Sequence, residues 1–146
     1  MLSMSKPFDE VLIEEIMTTK VIVLKPGENM SDACIKMRTN KIRHLPVVDV
    51  DNKLIGLFTD RDLNRAYSPK ETESGWYYSK SELETLSLEH FMTKDPHALN
   101  PQNTLKDAAK IMAFHKYGCI PIAEAATKKI LGIITYVDMF RYLSNS

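Results

Sequence analysis

The sequence predicts an α/β (α+β) fold in which two pseudo-two-fold related β-α-β-β-α units pack small sheets against helices. One observation is a strand-to-helix pattern at residues 55–65, where an apolar run ends at Thr59 and an amphipathic helix follows. The other is the return of this pattern at residues 131–141, with Thr135 in the same place. Because a strand that leads into a capped helix can hold phosphate and ribose groups, the doubled pattern predicts two candidate pockets.

The internal repeat covers most of the chain. Seven pairs of identical residues stand 75 positions apart, namely Met17/Met92, Thr18/Thr93, Pro26/Pro101, Asp32/Asp107, Ala33/Ala108, Met37/Met112 and Pro46/Pro121. After one inserted residue, four further pairs stand 76 positions apart: Gly56/Gly132, Thr59/Thr135, Asp62/Asp138 and Arg65/Arg141. Two copies favour a pair of half-domains over an open solenoid. We therefore expect a first repeat over 8–66, a linker over 67–82 and a second repeat over 83–146.

Both copies predict the same helices. Asn29 and Asp32 have the spacing of a capping box, and Thr104 and Asp107 repeat it. Apolar residues follow each cap at i, i+3, i+4 and i+7, which predicts one buried stripe on each helix. A lead-in helix is also predicted over 8–17 and 83–92, and a closing helix over 60–66 and 136–143.

Strands are predicted between these helices from β-branched residues and turn signals. A short strand precedes each long helix, and a hairpin follows it. The predicted short strands are 21–24 and 97–99, and the predicted hairpins are 42–49 with 53–58 and 117–122 with 130–134. Pro46 and Pro121 lack an N–H group for a ladder, so we expect them at a strand edge or entry.

Composition excludes several classes of function. The 146 residues include 19 basic and 19 acidic side chains, so the net charge is zero and no general basic field attracts nucleic acid or an anionic membrane. Cys34 and Cys119 stand in apolar contexts without metal-binding spacing and are expected to be reduced core thiols. The N-terminal residues carry no apolar signal segment, and no run is long enough to cross a membrane. We therefore expect a cytoplasmic protein.

The pattern Gly-x-x-Thr-x-x-Asp has two interpretations in each copy. Thr59 with Asp62, and Thr135 with Asp138, have the spacing of a helix capping box, which is a purely structural role. Alternatively, the carboxylate accepts two hydrogen bonds from a ribose diol, while Thr and the free N–H groups at the helix start receive phosphate. The residues alone leave both interpretations open.

Other chemistries lack their motifs. The four histidines have no metal-ligand spacing, so no metal site is predicted. Neither a nucleophile elbow nor a P-loop is present, and no pair of carboxylates stands out, so we predict that the chain is not an enzyme. Within the linker, Trp76, Tyr77 and Tyr78 either cover apolar surface or meet a partner or ligand.

Two segments in each copy resemble the cystathionine-β-synthase (CBS) domain. They read IRHLPVVD at 42–49 and LIGLFTDRDL at 54–63, and GCIPI at 118–122 and LGIITYVD at 131–138. The chain is most similar to the stand-alone CBS pairs of acetoin-utilisation-type proteins. The resemblance covers residues 13–143. It implies a regulatory, energy- or metabolite-sensing protein that binds AMP, ADP or ATP, with S-adenosylmethionine or NAD as further candidates and no obligatory cofactor. It also implies a homodimer and a regulated protein partner. The alternative is a ligand-free dimerising scaffold.

The resemblance also implies two ligand sites in a cleft between the repeats. The preferred adenine-nucleotide site is assigned to Thr19, Lys20, Ile22, Arg43, His44, Pro46, Thr135 and Asp138. The second site is assigned to Thr59, Asp62, His97, Gly118, Cys119 and Pro121. The first is preferred because Arg43 and His44 supply positive charge where the second copy has Gly118 and Cys119.

Overall fold

The structure is a computed structural model that describes residues 6–68, 70–73 and 75–145. It divides into two compact units. The central unit is Ile22–Pro96, and the terminal unit combines the residues up to Val21 with those from His97 onward. The segment before the first predicted strand therefore packs with elements of the second repeat. The repeat bounds 8–66 and 83–146 stay a prediction.

The central unit contains four helices and five strands among its described residues. In chain order these are α1 Met30–Asn40, β1 His44–Val48, β2 Leu54–Thr59, α2 Asp60–Ala66, β3 Lys70–Thr72, β4 Gly75–Tyr77, α3 Lys80–Leu83, α4 Leu88–Phe91 and β5 Thr93–Lys94. One sheet has the order β1-β2-β5, and β3 pairs with β4; all of these pairs are antiparallel. The mixed fold with small sheets is confirmed.

Capping and apolar spacing position α1. Asn29 accepts a hydrogen bond from the Asp32 N–H group, Asp32 accepts one from Asn29, and Lys41 ends the helix in the left-handed conformation. The buried side of the helix packs with both hairpin strands into one core. This core comprises Leu24, Met30, Ala33, Cys34, Met37, Leu45, Val47, Phe58, Leu63 and Leu83.

The terminal unit repeats this arrangement with fewer elements. After a 3₁₀ turn at Ile13–Glu15, its elements are α5 Leu105–His115, β6 Cys119–Ala123, β7 Ile130–Thr135 and α6 Tyr136–Ser144. The strands β6 and β7 form an antiparallel hairpin. The core comprises Val11, Ile13, Leu105, Ala108, Ile120, Ile122, Ile134 and Met139. Cys34 and Cys119 are buried free thiols, as predicted.

The lead-in elements are shorter than predicted. The helix predicted over 8–17 is only the 3₁₀ turn. Within the range 83–92, only Leu83 at the end of α3 and the four residues of α4 are helical. The strands predicted over 21–24 and 97–99 are reduced to single parallel bridges, Leu24 with Val47 and Leu99 with Ile122.

Two prolines explain why these short strands do not extend. The Leu24 N–H group donates to the Pro46 carbonyl at 2.9 Å, and Leu99 donates to the Pro121 carbonyl at 3.1 Å. Extension of either parallel ladder would need a donor from the proline itself, which has no N–H group. Both prolines lie in strands at the edge of their sheets, as predicted.

The predicted linker contains the short hairpin β3–β4. Tyr67 donates its hydroxyl to Glu82 at 2.7 Å and accepts the Ser79 N–H group at 3.1 Å. Tyr78 is half-buried beside Tyr67 and under the Arg38 guanidinium. The predicted role of Trp76 and Tyr77 depends on their side chains, which lie outside the described part of the structure. Pro69 and Ser74 also lie outside it.

The described helices are all too short or too polar to serve as a membrane span.

Two glycines allow close approach of a neighbouring strand. A Cβ atom on Gly132 would lie 2.8 Å from the Thr18 carbonyl oxygen, whereas one on Gly56 would lie 2.8 Å from the Met92 sulfur. The Thr18 carbonyl is held by a 2.9 Å bond from Ile133, but the Met92 side chain can rotate away. A β-carbon should therefore be tolerated less well at Gly132.

We predict that Gly132→Ala lowers the free energy of unfolding by about 1–3 kcal/mol, because the backbone must shift to admit the methyl group. The matched variant Gly56→Ala should cost less. Urea denaturation followed by circular dichroism measures both, and an equal or smaller loss for Gly132→Ala contradicts the explanation.

Candidate functional site

In the central unit, β2 passes directly into α2 through a capping box. The Thr59 hydroxyl accepts the Asp62 N–H group at 3.3 Å, and the Asp62 Oδ2 atom accepts the Thr59 N–H group at 2.8 Å. The second oxygen, Oδ1, accepts Arg65 at 3.1 Å. The same Arg65 nitrogen donates to the Phe91 carbonyl at 2.9 Å, which ties α2 to α4. Asp62 is thus buried at the point where the strand becomes a helix.

The terminal unit builds the same junction where β7 passes into α6. Asp138 Oδ2 accepts the Thr135 N–H group at 2.9 Å, and Asp138 donates its own N–H group to the Thr135 hydroxyl at 3.4 Å. The Oδ1 atom accepts the Thr18 hydroxyl at 3.1 Å and Arg141 at 3.5 Å. Asp138 is only 6% exposed, whereas the Arg141 side chain is 65% exposed.

The two carboxylate oxygens have different roles. Oδ2 completes the helix cap, while Oδ1 is held by a hydroxyl and by a solvated arginine. The Arg141 end of this ion pair is exposed to solvent, which screens its charge, so another donor can replace Arg141 at Oδ1. A ribose diol presents the same type of O–H donor as Thr18. The junction can therefore keep its cap and still accept a sugar.

The caps of α1 and α5 give a structural reference. Thr104 and Asp107 form the same box, and Asp107 Oδ2 also accepts Asn103 at 3.3 Å. The hydrogen bond from the Thr104 N–H group lowers the pKa of the Asp107 carboxyl group, with smaller contributions from Asn103 and the Thr104 hydroxyl. The reciprocal capping box between a polar N-cap residue and an aspartate is thus common to four helices of the described chain, α1, α2, α5 and α6. Asp138 differs from the other three capping aspartates because its carboxylate also accepts the hydroxyl of Thr18, which lies in a distant segment of the chain.

Positive charge gathers at the start of β1 in the central unit. His44 pairs with Thr59 across the hairpin, and the Asp60 N–H group donates to the Arg43 carbonyl at 3.0 Å. Arg43 and Arg61 are both exposed. Burial lowers the pKa of the His44 imidazole; Asp60 raises it, and the two arginines lower it further.

The terminal unit has no such charge at the corresponding place. Gly118 accepts the Tyr136 N–H group at 3.3 Å, and Cys119 pairs with Thr135. Val137 stands where the first copy has Arg61. Burial raises the pKa of the Cys119 thiol to about 12, with a smaller contribution from Asp138.

The structure places the predicted site residues in both units. The terminal unit holds Thr19, Lys20, His97, Gly118, Cys119, Pro121, Thr135 and Asp138, and the central unit holds Ile22, Arg43, His44, Pro46, Thr59 and Asp62. Within the terminal unit, the predicted site residues that lie together are Cys119, Thr135 and Asp138. Within the central unit, they are Arg43, His44, Thr59 and Asp62. Pro46, Pro121 and Cys119 are buried, whereas Thr19 and Lys20 are exposed. The combination of these groups into two sites stays a prediction.

Two features were missed from the sequence. The first is Thr18, which is brought to Asp138 by the bridge between Thr18 and Ile133. The signal available in the sequence was the repeated pair Thr18/Thr93.

The second is a cluster of exposed rings in the terminal unit. The rings of His97 and His115 lie 4.5 Å apart, and Tyr117 stacks on His115 at 5.0 Å. Within the described part of the chain, no cluster of three or more His, Cys, Asp or Glu residues could hold a metal ion.

A family model for the CBS domain matches residues 13–69 and 88–145. A protein assigned to acetoin utilization (AcuB) from Vibrio cholerae is 32% identical, with a TM-score of 0.74 over 92% of this chain and 91% of that chain. These two findings confirm the resemblance. The first five curated relatives are matched over 23% to 72% of their own length.

Two further structures are similar in fold. CBSX2, solved in complex with AMP, is 24% identical with a TM-score of 0.74, over 92% of this chain and 97% of that chain. The CBS domain pair of protein MJ0100, solved with 5'-methylthioadenosine and S-adenosyl-L-methionine, is 20% identical with a TM-score of 0.75, over the same shares.

The lowered pKa of His44 predicts a pH dependence of stability. In the unfolded chain, an imidazole takes up its proton near pH 6.5. In the folded chain, burial delays this uptake to lower pH. The unfolded state therefore binds more protons as the pH falls below about 6.5, and the free energy of unfolding falls until the folded imidazole is also protonated.

We predict that His44→Asn removes this part of the acid destabilisation, while the exposed-surface control His115→Asn retains it. Denaturant unfolding between pH 5 and 7.5 measures the effect, and imidazole NMR titration gives the pKa directly. A pKa of His44 at or above the ordinary histidine value contradicts the prediction.

Proposed function

Because the chain belongs to the CBS domain family, we propose that it is a regulatory protein that binds an adenine nucleotide. Its proposed role is sensing rather than catalysis. Binding stabilises one arrangement of the protein, which a partner protein then reads. The proposal includes a homodimer in the cytoplasm.

The observation that carries this proposal is the Asp138 junction. Its Oδ1 atom already accepts a hydroxyl at 3.1 Å, in a buried position in the first turn of α6. AMP, methylthioadenosine and S-adenosylmethionine, which are bound by the two similar structures, all contain adenosine. Their shared ribose diol is the group that such a carboxylate recognises. S-adenosylmethionine and NAD are therefore tested beside AMP, ADP and ATP.

The proposed roles are assigned within each unit. In the terminal unit, Asp138 accepts ribose hydroxyls, Thr135 faces phosphate, and the backbone at Thr19 and Lys20 meets the base. In the central unit, Arg43 and His44 face phosphate, and Ile22 meets the base through its backbone. Of the residues proposed for the second ligand, Thr59 and Asp62 belong to the central unit, and His97, Gly118, Cys119 and Pro121 belong to the terminal unit.

A second candidate function is a ligand-free dimerising scaffold. The exposed face of α6 favours it, because Tyr136, Val137, Phe140 and Leu143 are between 43% and 61% exposed. Exposed apolar patches are frequently contact surfaces. On this alternative, both Thr-x-x-Asp pairs serve only as helix caps.

Asp138→Ala and Asp107→Ala separate the two functions. Both remove a capping carboxylate, so each should cost about 1 kcal/mol of stability without ligand. Thermal melting with AMP, ADP, ATP, S-adenosylmethionine and NAD, each at millimolar concentration, measures the additional stabilisation by ligand. A ligand at one hundred times its Kd adds about 2.7 kcal/mol.

We predict that the wild type and Asp107→Ala are stabilised by at least one of these ligands and that Asp138→Ala loses this stabilisation. If no ligand stabilises the wild type, or if Asp138→Ala responds fully, the nucleotide proposal fails and the scaffold is favoured.

A further inference from the structure

A cluster of exposed rings lies at the C-terminal end of α5 in the terminal unit. His115 is the last residue of α5, Tyr117 lies between this helix and β6, and His97 belongs to the segment that leads to the bridge at Leu99. The Phe114 ring meets His115 edge-on at 4.8 Å, and Tyr117 stacks on it at 5.0 Å. All four rings are open to solvent and to solutes.

The first copy shows that the fold does not require these rings. The positions 75 residues earlier hold Ile22, Asn40 and Ile42. Ile22 and Ile42 are half-buried and pack against the core of the central unit. The second copy has instead His97 and Tyr117, which are exposed. Packing of the core therefore does not explain the rings of the second copy.

The two imidazole rings have the separation of ligands that share one metal ion. A metal–nitrogen bond of about 2.0–2.1 Å places the ion about 3.2 Å from the centre of each ring. Two such ring centres are about 4.5 Å apart when the ligands form a right angle, and about 5.2 Å apart at the tetrahedral angle. The ring centroids of His97 and His115 are 4.5 Å apart, which matches the right angle.

The orientation of the rings also permits shared binding. A metal ion lies in the plane of each imidazole that binds it, so the planes of two ligands must intersect. The planes of His97 and His115 are inclined at 59°. Tyr117 is almost parallel to His115, at 10°, so it covers the face of that imidazole and leaves the nitrogen atoms at the ring edge free for a ligand.

The helix end favours a cation at this place. The carbonyl groups at the C-terminus of α5, an 11-residue helix, carry the negative end of the helix dipole. Lys116 follows His115 directly and opposes a further cation. Because Lys116 is exposed, solvent and salt screen its charge.

We propose that His97 and His115 bind a divalent transition-metal ion, with Cu²⁺ and Ni²⁺ preferred over Zn²⁺. Imidazole suits all three ions, but a right angle between ligands is typical of tetragonal Cu²⁺ and Ni²⁺, whereas Zn²⁺ favours a tetrahedron. Water fills the other positions, because the described residues offer no group of three or more His, Cys, Asp or Glu ligands. The spacing of the histidines did not predict this site, since the fold joins residues that are distant in sequence. The site goes beyond the proposed nucleotide binding and does not depend on it.

Isothermal titration calorimetry with CuSO₄, NiSO₄ and ZnSO₄ tests the proposal, on the untagged chain at neutral pH and without nucleotide. The variants are His97→Asn and His115→Asn, the second of which installs the residue of the first copy. His90→Asn is the matched control, because it removes an exposed histidine from the central unit. Circular dichroism checks that each variant is folded, and electron paramagnetic resonance of bound Cu²⁺ counts its nitrogen ligands.

We expect the wild type and His90→Asn to bind one Cu²⁺ or Ni²⁺ ion, and Zn²⁺ more weakly. Either ligand variant should weaken binding by about 10- to 100-fold, because one imidazole alone cannot chelate the ion. The Cu²⁺ spectrum should show two imidazole nitrogens in the wild type and one in either variant. Absence of binding by the wild type, an equal loss in His90→Asn, or a loss in only one of the two ligand variants overturns the proposal. Tighter binding of Zn²⁺ than of Cu²⁺ and Ni²⁺ contradicts the right-angle geometry.

Discussion

The hydrogen bonds between a strand-ending threonine and an aspartate three residues later fix the two junctions on which the candidate site depends. Four N–H groups at the start of a helix lack partners within the helix, and this pair satisfies two of them at once. The strand therefore stops and the helix starts at a defined residue, Thr59 in one unit and Thr135 in the other. Because the cap uses only one carboxylate oxygen, the other remains at the junction for a hydroxyl or a guanidinium group.

The differences between the copies separate the residues of the helix caps from the residues that are proposed to bind ligand. The capping threonine and aspartate and the arginine one turn later occur at both junctions with the same bonds. The residues at the start of the other hairpin strand, β1 or β6, differ from Arg43 and His44 in the first copy to Gly118 and Cys119 in the second. A gene duplication that preserves a cap while changing the charge beside it keeps the fold and changes what can bind. The proposed ligand preferences follow from this asymmetry.

Local signals predicted much of the fold. The caps, the hairpin turns and both closing helices were predicted from spacing within a few residues, because each depends on neighbours in the sequence. The lead-in elements were predicted poorly, since the 3₁₀ turn at Ile13–Glu15 and the bridge at Leu24 depend on the segments that pack against them. The hairpin β3–β4 was missed because Pro69, Gly75 and the charges and serines of residues 67–82 indicated only a linker.

The candidate site could be predicted only in part for the same reason. The Thr-x-x-Asp spacing identified both carboxylates, but the bond from Thr18 to Asp138 joins residues 120 positions apart. No local pattern records such a contact. Sequence supplied the candidate groups, and the folded chain determined which of them already have partners.

Two-dimensional ¹H–¹⁵N NMR of the uniformly labelled protein provides the most direct test, because four capping boxes can be compared in one sample. Added AMP or ATP should shift the amide signals of Thr59 and Asp62, or of Thr135 and Asp138, while Asn29 and Thr104 remain unchanged. If all four caps shift equally, or if none shifts at saturating nucleotide, the junctions are structural caps and not ligand sites.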